Sequence, residues 1–308
     1  MSGRRPVIID CDPGTDDAVA LLLALASPEL DVRAITAAGG NVGLNHTLAN
    51  ARALVAVAGA AVPVHEGADR PLLGAFAAAA HIHGDNGLGG LVLPEGPPAA
   101  PGLAADVIRD TLRGAAEPVT LVGIGPATNL ALALATEPAL AASVAEIVLM
   151  TGAWGDGNMT AAAEFNALSD PEALAVLIAA ARPLTLATLD LTRQARVTPE
   201  RVAAMAARGG GRALAIACDI LARVPTWETG GLGFPLHDPC AIAWLIRPSL
   251  FTATARPVAV DLGPGLNRGR TVIDRRARTE APRNATVLET LDADGFFALL
   301  GERIATLP

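Results

Sequence analysis

The sequence of 308 residues contains no lysine and no tyrosine, and only 3 cysteines. Each absence excludes chemistry. Without lysine there is no Schiff-base nucleophile, so pyridoxal-phosphate enzymes and lysine-dependent aldolases are ruled out. The Walker A lysine is missing, which removes ordinary P-loop NTPases. Protein kinases lose the lysine that pairs their phosphates. Tyrosine is not available as acid, base or nucleophile. Three cysteines, an odd number, do not build a disulfide framework. All 23 basic residues are arginine, against 31 acidic ones, and the net charge of −8 includes no basic block, so no nucleic-acid partner is expected. The arginine-for-lysine usage, with alanine everywhere, reads as the codon bias of a GC-rich genome. The longest clean apolar run, Ala18–Ala26, is far too short to span a bilayer. Met1–Pro6 leads straight into Val7-Ile8-Ile9, without a signal peptide's apolar region. The expectation is a soluble, cytoplasmic protein with no membrane partner.

What is present is apolar and small. Hydrophobic residues make up 51% and aromatics only 3%, so a large core is expected, built from Ala, Leu and Val. Short β-branched runs alternate with Ala/Leu-rich stretches. Strands are predicted at Pro6–Asp10, Val32–Ala37, Val62–His65, Val119–Gly123, Glu146–Thr151 and Pro183–Leu189. Helices are predicted at Asp16–Ala26, Leu44–Ala58, Asn129–Thr136 and Pro171–Ala180. This alternation predicts an α/β fold, a mostly parallel central sheet with helices on both faces. Strands that are apolar throughout fit a sheet covered on both sides. After Leu191 two consecutive helices, Pro199–Ala207 and Arg212–Arg223, read as a helical insertion, and a further helix lies around Ala241–Ile246. Thr252–Val260, Arg270–Arg275 and Ala285–Leu288 look like C-terminal β-hairpin material before a closing helix, Asp294–Ile304. With no long linker and no repeat, residues 1–308 are expected to form a single domain. The stretch from about Glu66 to Pro101 is a long loop, of the kind usually functional or mobile.

The strongest local signal is Asp10-Cys11-Asp12-Pro13-Gly14-Thr15-Asp16-Asp17, four carboxylates in eight residues where the first strand turns into the first helix. Ligands of parallel sheets bind outside the carboxyl ends of the strands. Asp16 and Asp17 could simply meet the positive end of a helix dipole, with Thr15 as N-cap, but that accounts for two acids, not four. Oxygen-only ligands point to a hard cation, Ca²⁺ or Mg²⁺. Asp12 and Asp17 would then clamp it from the two sides of the turn, leaving Asp16 to face a water. A haloacid-dehalogenase-like Mg²⁺-dependent phosphatase is the enzyme alternative, because it also places Asp-x-Asp after a first strand. Gly14 occupies the position where that pattern wants Thr or Val, and the later lysine is missing. Other weak signals are His81 and His83 as a metal pair, and Gly123-Ile124-Gly125-Pro126-Ala127-Thr128 as an incomplete dinucleotide fingerprint. Cys11, flanked by carboxylates, is not expected to be a reactive thiolate.

Polar residues concentrate in three further places: Gly39-Gly40-Asn41, the stretch holding Asn158-Met159-Thr160 and Glu164-Phe165-Asn166, and His237-Asp238-Pro239. Glu and Asn side chains together suit a polyol, since the carboxylate accepts from hydroxyls and the amide both donates and accepts. With Ala127-Thr128-Asn129-Leu130-Ala131-Leu132 and Asp170-Pro171-Glu172-Ala173, these motifs in this order resemble the inosine-uridine preferring nucleoside hydrolase family over almost the whole chain. The resemblance implies a nucleoside hydrolase-like fold with a Rossmann-like core. It implies hydrolysis of the N-glycosidic bond of a ribonucleoside, one Ca²⁺ at the bottom of the pocket, and a homodimer or homotetramer. Carried over, Asp12, Asp17, Asp238 and the backbone carbonyl of Thr128 are metal ligands, and Asp16 is the general base. Asn41, Asn158, Glu164, Asn166 and Asp238 contact the ribose, Met150 walls the pocket, His83 belongs to a closing loop, and His237 is the acid or a contact at the nucleobase; Phe165 either touches the ribose or base or is a wall residue. Some relatives place tyrosines before the His-Asp pair. Here that segment, Pro225 to Phe234, offers Trp227 as a stacking face and no phenol. A riboside-binding protein without turnover is the non-enzymatic alternative, against which intact Asp16 and His237 argue.

Overall fold

The computed structural model describes residues 3–76, 79–180, 182–223 and 233–308. Strand β1 (Arg5–Cys11) is buried from Pro6 onward and leads into α1 (Thr15–Leu25). β2 (Leu30–Ala37), α2 (Leu44–Val57) and β3 (Val64–Glu66) complete the first run. The long connection that follows holds α3 (Ala80–His83) and α4 (Ala104–Gly114) before β4 (Val119–Gly123), α5 (Thr128–Thr136) and β5 (Val144–Met150). Next come α6 (Phe165–Ser169), α7 (Pro171–Ala179), β6 (Leu184–Ala187) and α8 (Leu189–Thr192). β7 (Arg196–Val197), α9 (Pro199–Ala206), α10 (Arg212–Arg223), β8 (Phe234–Pro235) and α11 (Pro239–Ile246) follow. The chain ends with β9 (Phe251–Arg256), β10 (Val258–Val260), β11 (Thr271–Ile273), β12 (Ala285–Leu291) and α12 (Ala293–Ile304).

The main sheet has 8 strands in the order β3-β2-β1-β4-β5-β6-β12-β9. All pairings in it are parallel except β12 with β9. The parallel strands lack hydrophobic alternation because each face is covered, yet the pleat still sorts the residues. Val7 and Ile9 of β1 join one core, with α1, α10, α11 and α12; Ile8 joins the other, with α4, α5 and α7. Helix α1 is buried almost all round, being packed by α2, α10, α11 and α12. Its sequence is accordingly apolar on every side rather than on one stripe.

The predicted strands and helices before Leu191 are all present, with ends moved by a residue or two, save the last. The strand expected over Pro183–Leu189 stops at Ala187, and the chain winds into α8. The insertion is α9 and α10, which pack on each other. Of the C-terminal strands, β10 and β11 form the separate antiparallel pair, while β9 and β12 extend the main sheet. Helices α3, α4, α6 and α8 have no counterpart in the sequence reading, and α3 lies within the stretch read as a long loop. No helix among the described residues is long and apolar enough to cross a membrane.

Phe296 of α12 is fully buried and meets Phe297 edge-on at 5.3 Å between ring centroids. Phe296→Ala is expected to cost about 3–5 kcal/mol of stability, read as a shift in the urea midpoint. A loss below about 1 kcal/mol would mean that this face of the sheet is not closely packed.

Candidate active site

The carboxyl ends of β1, β2, β4, β5 and β6 open on one cavity of about 290 Å³. Ten of the residues expected to act on substrate line it together: Asp16, Asn41, His83, Met150, Asn158, Glu164, Phe165, Asn166, His237 and Asp238. Sequence reasoning missed others that share the wall, notably Leu189 and Arg193 at the ends of α8, and Ile82, Ile124, Met159, Phe234 and Pro235. Trp227 lies outside the described residues, as does the side chain of His81.

The floor is acidic. Carboxylate oxygens of Asp16, Asp17 and Asp238 lie within 4.8 Å of one another. Asp17, three residues past the N-cap of α1, reaches back to accept from the Gly14 N–H (2.9 Å) and from the Asp12 N–H (3.1 Å). This satisfies donors that the start of a helix leaves free. Asp12 accepts from the Asn41 N–H through Oδ2 (2.7 Å), while its Oδ1 is buried with no partner among the described residues. The glycines on either side explain how that carboxylate is cradled. A Cβ on Gly40 would sit 2.1 Å from Asp12 Oδ2, and one on Gly125 would sit 2.4 Å from Oδ1. Burial, then the neighbouring acids, holds Asp12 and Asp238 well above the usual carboxylate range, and pushes Asp17 up to about 7. Such a group of acids is stable only with protons or a cation among them. The donors are hard oxygens and one of them is unpartnered, so the residues present fit a divalent cation.

Asp10, the first acid of the motif, is no part of this floor. Its Oδ1 accepts from the Thr36 hydroxyl (2.5 Å) and from Asn129 Nδ2 (2.8 Å), bracing β1 against β2 and α5. Burial pushes it up to about 7 despite both bonds. Thr128 opens α5 and donates its hydroxyl to Asp170 Oδ2 (2.6 Å); Asp170 in turn caps α7. The Thr128 side chain is therefore used to anchor the helix, and only its carbonyl is relevant to a cation. Burial holds the Cys11 thiol far above its ordinary value, which fits its expected inertness.

The amides around the floor have fixed orientations, because carbonyl oxygens only accept. Asn41 Nδ2 donates to the Asp12 carbonyl and to Asp17 Oδ2, both at 3.1 Å. Asn166 Nδ2 donates to the carbonyls of Ile124 (3.1 Å) and Met150 (3.0 Å). Both side chains thus have only Oδ1 left to offer. Asn158 is reversed: its Oδ1 accepts from the Phe165 N–H (2.9 Å), so its amide protons remain. Glu164 caps α6, accepting from the N–H groups of Gly152, Asn166 and Ala167 and from the Thr151 hydroxyl. Three of those four bonds end on Oε2, which leaves acceptor capacity on Oε1. Burial nonetheless raises its pKa.

Two imidazoles complete the wall. His83 Nδ1 accepts from the Thr15 N–H (3.2 Å), which places its ring against the start of α1. His237 Nδ1 is 2.7 Å from the Thr192 hydroxyl, and its ring meets Phe234 edge-on. Burial pushes the His237 imidazole down to about 4, so it is neutral at physiological pH.

Asn, Glu and His side chains thus line a cavity above an acidic, cation-fitting floor, at the strand ends of a parallel sheet. The chain belongs to the inosine-uridine preferring nucleoside hydrolase family, whose model matches residues 7–298. It is 44% identical over 305 residues to the pyrimidine-specific ribonucleoside hydrolase RihA of Salmonella agona, covering 97% of this chain and 98% of that protein. Among solved structures, the purine-preferring ribonucleoside hydrolase from Gardnerella vaginalis superposes with a TM-score of 0.89 at 31% identity, covering 98% of each chain. The plant nucleoside hydrolase PpNRh1 superposes with a TM-score of 0.90 at 30% identity, over 98% of this chain and 99% of that one. Membership sets aside the phosphatase alternative.

The Asp12 cradle can be tested directly. Gly125→Ala is expected to weaken cation binding about tenfold or more, since its methyl needs the space of a fixed carboxylate. The measurement is the midpoint of Ca²⁺-dependent thermal stabilisation. An unchanged midpoint would show that the Asp12 carboxylate plays no part in holding the ion.

Proposed function

We propose that the protein hydrolyses the N-glycosidic bond of ribonucleosides to ribose and free base, and that Asp12, Asp17, Asp238 and the Thr128 carbonyl hold a Ca²⁺ ion at the floor. The observation that carries this reading is that Asp16, Asp238 and His237 line one cavity together with Asn41, Asn158, Glu164 and Asn166. The all-oxygen donor set and the unpartnered Asp12 Oδ1 support the ion. When bound, Ca²⁺ lowers the pKa of a water and holds it near the sugar.

The residues of the chain do the rest. Asn41 Oδ1, Asn166 Oδ1 and Glu164 Oε1 accept from ribose hydroxyls, and Asn158 Nδ2 donates to one. Met150 and Phe165 supply apolar wall. Asp16 takes the proton of the attacking water. The glycosidic bond breaks ahead of attack, so positive charge grows on the ribose ring. Nearby carboxylates stabilise that charge more than they stabilise the neutral substrate, and this difference is what accelerates the reaction. With the Thr192 hydroxyl, 2.7 Å away, donating to His237 Nδ1, the neutral imidazole offers its Nε2–H as a hydrogen bond to the departing base, which takes its proton from water.

Pyrimidine ribosides are the expected better substrates. The 44% identity to a protein named pyrimidine-specific, against 31% to one named purine-preferring, supports that order.

In a nucleoside panel read by released reducing sugar, uridine and cytidine should outpace inosine. A chelator should abolish turnover and added Ca²⁺ restore it. Absence of ribose release from every ribonucleoside would sink the proposal; turnover unaffected by the chelator would remove the ion from it. Asp16→Ala should lose about 10²–10⁴-fold in kcat, with circular dichroism and Ca²⁺ binding kept. Near wild-type turnover in that variant would remove Asp16 as the base.

A further inference from the structure

Arg193 is the one permanent cation on the cavity wall among the described residues; the other charged residues there, Asp16, Glu164 and Asp238, are acids. It follows directly on α8, whose Thr192 holds His237, so it belongs to the His237 side of the cavity. Its guanidinium is held in place: Nη1 donates to the Asp156 carbonyl (2.9 Å) and Nη2 to the Gly157 carbonyl (3.0 Å). Those two bonds use two of five donors, which leaves three N–H groups on a cation that is only partly buried.

The chemistry of that side needs such a group. When the glycosidic bond breaks, its electron pair stays with the base. In an oxo-base such as uracil, that negative charge spreads to the carbonyl oxygens. His237 offers a single ring nitrogen, since Nδ1 is taken by Thr192. There is no tyrosine phenol and no lysine ammonium in the chain. We propose that Arg193 is a specificity-determining residue that donates to a carbonyl oxygen of the leaving base and stabilises the negative charge developing there, favouring oxo-bases such as uracil. This rests on the ribonucleoside hydrolase reading and adds the recognition of the leaving group. The interaction is stronger in the transition state than with the neutral base, so it acts on kcat as well as on KM.

The test compares wild type, Arg193→Met and Arg193→Lys on uridine and on p-nitrophenyl riboside. The second substrate has no base carbonyl and a leaving group that needs little help. Arg193→Met should lower kcat/KM for uridine about 10- to 100-fold and change p-nitrophenyl riboside by less than about threefold. Arg193→Lys keeps the charge without the double grip on Asp156 and Gly157, and should recover part of the uridine loss. A merely structural Arg193, holding the loop that carries Asn158, would lower both substrates alike in both variants; that result overturns the inference and leaves the parent reading intact. Wild type inert toward every ribonucleoside overturns both.

Discussion

Repulsion between buried carboxylates is the constraint around which this fold is organised. Asp16, Asp17 and Asp238 bring oxygens within 4.8 Å of one another, and at that distance two unit charges repel by about 3 kcal/mol even at an effective dielectric of about 20. The local sequence answers that cost in several ways. The start of α1 aims its free N–H groups and its dipole at the acids. Asn41 ties Asp12 to Asp17 through its amide, and Gly40 and Gly125 let the backbone close on Asp12. Charge left over after these contacts suits the place to a cation of oxygen-seeking type.

The same economy runs through the Asn and Glu side chains of the wall. Asn41 and Asn166 commit their amide protons to main-chain carbonyls or to Asp17, and Glu164 divides its carboxylate between α6 and the Thr151-Gly152 segment. Each of these residues is a structural brace and a potential ligand at once. These bonds fix the side-chain orientations and aim Oδ1 of Asn41 and Asn166 away from their amide partners.

Much of this was legible in the sequence. Strands such as Val119–Gly123 and helices such as Leu44–Val57 announce themselves through β-branched runs and Ala/Leu stretches bounded by Gly and Pro. The site residues were legible because they sit in dense polar motifs at strand ends, and all ten expected to touch substrate do share one cavity. What escaped was set by tertiary contact. α6 and α8 have five and four residues, too short to show a helical period, and α6 exists because Glu164 caps it. The seven-residue strand read at Pro183–Leu189 lost its end to α8 because β-propensity there is overruled by packing. Arg193 looked like any other arginine in a chain that uses no lysine; nothing in Leu-Thr-Arg-Gln signals that its guanidinium would be drawn to the carbonyls of Asp156 and Gly157. The role of Asp10 as a brace was equally hidden, since only the partners Thr36 and Asn129 distinguish it from Asp12.

The order of strands in the sheet has a further meaning. Reading across β2, β1, β4, β5 and β6, the segments that follow contribute Asn41, then the acidic turn, then Gly125 and Thr128, then Glu164 and Asn166, and last Thr192 and Arg193. Neighbouring strands lie about 4.8 Å apart, so position along the sheet edge is a coarse ruler laid beside the substrate. The acidic end of that ruler is locked by mutual bracing, while the end beyond β6 is a short helix and its neighbours. The scaffold therefore separates what must stay constant from what is free to diverge. Side chains at the β6 edge of the pocket can change without disturbing the acids at the other.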